Sequence, residues 1–106
     1  MVKWSESITA RCRGAEAYAD KLKDAEIFFE DSEVGEHGFV FCVGALGDKY
    51  FHLEWYYDSK QPITKHHKGF NNIDFLKMWF IKLKAEQHSL AEEVIQSFQK
   101  YLTEKS

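Results

Sequence analysis

Residues 39–58 constrain this chain more than any other stretch, because two strand-like runs flank a two-residue turn. Phe39 to Leu46 is apolar on both alternating faces: Phe39, Phe41, Val43 and Ala45 on one, Val40, Cys42, Gly44 and Leu46 on the other. A strand of that kind is central in its sheet and covered on both sides. Gly47-Asp48 then gives the glycine-first order of a two-residue hairpin turn. Lys49 to Asp58 alternates, with Phe51, Leu53, Trp55 and Tyr57 on the presumed core face and Tyr50, His52, Glu54 and Tyr56 on the other. Any fold for this chain has to be built around that hairpin.

The flanks add one strand and three helices. Ile27-Phe28-Phe29 within Ala25–Glu30 is short enough for an edge strand, whose neighbours Glu26 and Glu30 discourage edge-to-edge pairing. Ser32 to Gly38 reads as a turn. Before it, Ile8, Cys12, Ala15, Ala19 and Leu22 recur at helical spacing after a candidate cap, Ser5, and predict a helix weakened by Gly14. Residues 59–71 read as a loop around Pro62. Asn71 or Asn72 can cap a helix over 73–87 that is apolar almost all round. Ser89-Leu-Ala-Glu92 matches a capping box before the stripe Leu90, Val94, Ile95, Phe98, Tyr101 and Leu102. The expected fold is a single α+β domain over 1–106. It has an N-terminal helix, a three-stranded antiparallel meander and two C-terminal helices packed on the sheet.

Composition narrows the function classes. The chain has 106 residues, 16% of them aromatic, enough to fill a core without disulfides or metal. Cys12 and Cys42 stand alone, without a CxxC, and read as buried free thiols in a reducing compartment. The start, Met1-Val-Lys-Trp-Ser-Glu-Ser, has no secretory apolar run, and Ile73 to Leu83 is broken by Asp74, Lys77 and Lys82. A cytoplasmic protein that does not enter a membrane is expected.

Three chemistries deserve weighing. His52 and Glu54 lie two apart on one strand face, a spacing open to a metal site or a general base if His37, His66 or His67 folds over them. The HxE pair lacks the PCxxC of zinc deaminases, and the plain alternative is a solvated sheet face. No GxGxxG or GxxxxGK loop is present. Neither an enzyme activity nor a cofactor is expected.

The net charge of −3 conceals a basic segment, residues 60–85, with six lysines against Asp74 alone. Lys60, Lys65, His66, His67 and Lys68 form its candidate nucleic-acid surface. The helix–three strands–helix order is similar to the double-stranded-RNA-binding fold. The lysine cluster such domains place at their final helix is replaced here by Asn71-Asn72-Ile-Asp74. RNA binding is therefore the alternative function.

The favoured expectation is a small non-enzymatic regulator of the inhibitor, immunity or adaptor type, working through an acidic and aromatic surface. Its partner would be another protein, or a second copy in a homodimer. The acidic candidates are Glu26, Glu30, Asp31, Glu33 and Glu36, and the anchors are Tyr50, Tyr56 and Trp79. Residues 73–83 carry more apolar surface than one helix needs to bury, unless helices cover both faces of the sheet.

Overall fold

The central hairpin forms as expected in the computed structural model, which describes residues 1–58, 60 and 63–105. Strand β3 (Gly38–Leu46) pairs with β4 (Lys49–Tyr57) in unbroken antiparallel register, from Gly38 opposite Tyr57 to Leu46 opposite Lys49. Gly47 closes the turn at a φ of 64°, a left-handed conformation that favours glycine. The sheet is wider than the meander expected. It has five antiparallel strands in chain order, with β1 (Val2–Lys3) and β2 (Glu26–Glu30) on one side and β5 (His66–Phe70) on the other. Ala25–Glu30 is thus not the outermost strand, because Val2 and Lys3 pair with Ile27 and Glu26 at the start of its outer edge.

Strand β5 corrects the loop expected over 59–71. His66 to Phe70 pairs with Glu54 to Tyr50, the first part of the far side of β4. A histidine-lysine-glycine run carries little strand signal of its own, and the ladder offered by β4 supplies the order. Pro62 lies outside the described residues.

The N-terminal helix is replaced by three short 3-10 turns, Trp4–Glu6, Thr9–Arg11 and Ala15–Tyr18. Gly14 interrupts the segment at a φ of 97°. Polar side chains compete for the backbone as well: Ser7 Oγ bonds the Trp4 carbonyl and accepts from the Ala10 amide. The Glu30 carboxylate accepts from the Ile8 and Thr9 amides and from Thr9 Oγ1. These bonds hold the segment flat on the sheet, where Trp4, Cys12, Ala15 and Leu22 pack on Val40, Cys42, Leu53 and Trp55. Trp55 Nε1 donates to the Arg13 carbonyl at 2.9 Å.

The opposite face is covered by α1 (Ile73–Ala85) and α2 (Ala91–Lys105). Asn72 caps α1, its side chain accepting from the Phe75 amide at 3.1 Å. Before α2, the side-chain acceptor is His88 Nδ1, bonded to the Leu90 amide, in place of the expected Ser89 box. Both helices bury aromatic residues against the sheet. Phe28, Phe80, Phe98 and Tyr101 form one cluster, with Phe28 and Phe98 centred 5.2 Å apart. Such pairs contribute about 0.5–1.5 kcal/mol beyond their burial. The fold is therefore α+β with the sheet covered on both faces, a coil of turns on one side and two helices on the other. No helix among the described residues is long and apolar enough to cross a membrane.

Candidate functional site

Strand β4 places Tyr50, His52, Glu54 and Tyr56 in one row, and the helices cover only part of it. Tyr50 packs edge-on against Phe98, and His52 is 6% exposed. At the other end, Tyr56 is 77% exposed beside the half-buried ring of Phe39. The row is thus core at one end and open surface at the other, so neither a fully solvated face nor a fully covered one describes it. The helices end over His52, and Glu54 marks the boundary.

His52 lies between the rings of Phe41 and Trp79, whose centroids are 4.5 and 4.6 Å away. Its Nδ1 is 3.0 Å from the Cys42 carbonyl, and its Nε2 is 3.0 Å from Glu54 Oε1. Each ring nitrogen therefore has an oxygen partner, one on the backbone and one on a side chain. The bond from His52 holds the Glu54 carboxyl below its ordinary range, against the opposing effect of partial burial. His88 and His66 add to that lowering. Both ring nitrogens of His52 are thus engaged within the chain. His66, Lys68, Lys82, Glu86 and His88 line the same shallow cleft. Among the described residues, no group of three or more His, Cys, Asp or Glu side chains is placed to hold a metal.

The acidic candidates divide. Glu26 is bound to Lys105 Nζ at 2.8 Å, fastening the end of α2 to β2. Glu30 holds the Ile8–Thr9 turn. Both carboxylates thus hold elements of the chain together, although Glu26 Oε2 has no hydrogen-bond partner among the described residues. Asp31, Glu33 and Glu36 are exposed in the β2–β3 connection, where Asp31 donates its amide to Phe41 and Glu33 bridges to Phe39. The Tyr57 hydroxyl donates to the Glu33 carbonyl at 2.5 Å and fixes that connection over the end of the sheet. Glu33 and Glu36 thereby share a groove of about 650 Å³ with Phe39, Tyr56, Asp58 and Lys60.

The comparisons with family models, curated proteins and solved structures gave no match. The site therefore rests on its own geometry.

Of the three aromatic anchors, the structure exposes only Tyr56. Trp79 is 8% exposed and packs on His52 and Phe70, while Tyr50 is half-buried. Helical spacing carries the missed signal: Trp79 lies three residues after Leu76 and four before Leu83, both core positions. Phe75, Met78 and Ile81 fall on the other side of α1 and are 51%, 63% and 68% exposed. Phe39 was also missed as a groove residue, because its strand is apolar on both faces and nothing local separates it from Phe41.

The basic candidates are all exposed but do not form one face. His66 and Lys68 lie opposite Glu54 and His52 on the helix side. His67 instead meets the Tyr18 ring at 5.6 Å on the N-terminal side, where burial and Lys21 lower its pKa. Lys60 lines the acidic groove. Farther along, Lys84 lies 3.7 Å from Glu92 and Lys82 4.0 Å from Glu86. The resemblance in element order to a double-stranded-RNA-binding fold is lost as well, since its first helix is absent and the sheet has five strands.

Proposed function

We propose that this chain is a non-enzymatic protein-binding regulator whose docking surface is the acidic, aromatic end of the sheet. One observation carries the reading. Tyr56, 77% exposed, stands beside Phe39 in a groove bordered by Glu33 and Glu36. An exposed tyrosine on a rigid strand loses little conformational entropy on binding and supplies a large contact area. The surrounding carboxylates select a basic partner surface and speed the encounter with it. An inhibitor, immunity protein or adaptor acting in a reducing cytoplasm agrees with two buried free cysteines.

Tyr56→Ala tests this without touching the core. Partner affinity should fall by about 2 kcal/mol, the loss expected of a central aromatic anchor, while the melting temperature stays within a degree or two. Undiminished binding would overturn the reading. RNA binding through Lys65, His66, His67 and Lys68 is the alternative reading, supported by their exposure on an open strand edge. It predicts binding that Lys65→Ala with Lys68→Ala weakens and Tyr56→Ala leaves intact.

A further inference from the structure

We propose that the outward face of α1 is a self-association surface, on which a second copy of this chain packs antiparallel with Met78 at the two-fold axis. The surface is apolar where a helix facing solvent should be polar. Phe75, Met78 and Ile81 are each more than half exposed, and the core side of the helix is already filled by Leu76, Trp79, Phe80 and Leu83. Asp74, Met78, Ile81 and Ala85 follow the alternating three- and four-residue steps of a helix–helix seam.

The sequence along that seam is complementary to itself. With the copies antiparallel about Met78, Phe75 of one lies opposite Ile81 of the other. Asp74 lies opposite Lys82, and both contacts occur twice by symmetry. The acid is in the first turn and the base in the last, so antiparallel helix dipoles reinforce the pairing. Lys82 is open to such a partner, since its side chain is 62% exposed and its own Glu86 is a loose 4.0 Å away. The neighbouring sheet edge does not offer the same symmetry. Lys68 sits at the middle of β5, so pairing β5 with its copy would set Lys68 against Lys68. The seam is therefore confined to α1.

Thirteen residues give a helix about 20 Å long, less contact than a standard interface provides. The dimer should accordingly be weak, with a dissociation constant on the order of 10–100 μM. Sedimentation equilibrium on the full chain reads this directly. The expected mass rises from 12.5 kDa toward twice that value with concentration. Met78→Glu should hold the chain at the monomer mass with unchanged circular dichroism. Asp74→Lys or Lys82→Glu alone should weaken the dimer about tenfold, and the two together should restore it to within about threefold. A wild-type chain that stays at 12.5 kDa up to about 1 mM would overturn the proposal. So would a dimer that the double charge swap fails to restore. Binding of the monomer to anionic phosphatidylserine vesicles through Met78, without self-association, would overturn it too.

Discussion

His52 shows how a single residue changes meaning between sequence and fold. Its spacing to Glu54 is that of a catalytic or metal-binding pair, yet both ring nitrogens are committed, to Cys42 and to Glu54. Its work is structural: it fills the space between Phe41 and Trp79 and links Glu54 to the Cys42 carbonyl of the neighbouring strand. His52→Ala should cost about 3 kcal/mol in chemical denaturation, comparable to removing a buried ring. The acid limb of stability follows from Glu54, whose folded pKa lies below its ordinary value of 4.5. The folded state therefore binds fewer protons than the unfolded one in that range. The contribution is complete above pH 4.5 and is lost as pH falls through the folded value. Glu54→Gln should flatten the pH dependence of the denaturation midpoint below pH 4.5, and an unchanged acid limb would assign it to other groups. The cysteines give a second check at this scale. Burial pushes the Cys42 thiol up to about 12 and raises that of Cys12. Native protein at pH 8 should resist alkylation, and both thiols should react after denaturation.

At the scale of elements, the N-terminal segment depends on bonds distant in sequence. Three donors from Ile8 and Thr9 converge on Glu30. Glu30→Ala should cost about 2 kcal/mol and release the first turns, seen as faster amide exchange at Thr9 and Ala10. Elements were legible where local pattern and tertiary packing agreed. The β3–β4 hairpin carries alternation and a glycine turn. Helix α1 carries a cap and a core stripe, and α2 carries a sustained apolar stripe. Where the two disagreed, packing prevailed. Cys12, Ala15 and Leu22 do face the core, as a helix would have them, but they reach it through turns that Gly14, Ser7 and Glu30 impose. Strand β5 has almost no pattern of its own, and only β4's unpaired side reveals it. The candidate site was legible in Tyr56, Glu33 and Glu36. The commitment of Glu26 to Lys105, 79 residues along the chain, had no local trace.

The whole molecule has two surfaces of opposite character. One end of the sheet presents Tyr56 and Phe39 among carboxylates, while α1 presents apolar side chains among lysines. The three most exposed large apolar side chains lie on these two surfaces, Tyr56 on the first and Met78 and Ile81 on the second. The acidic, aromatic end is the surface proposed to bind a protein. The most direct measurement is capture from the source lysate with the tagged wild-type chain beside a Tyr56→Ala, Glu33→Lys, Glu36→Lys variant. Both captures are run with and without nuclease, at low and high salt. The expected result is a protein that the wild type retains after nuclease treatment, that rising salt weakens, and that the variant loses. Equal capture by both chains, or a captured species that disappears with nuclease, would contradict it.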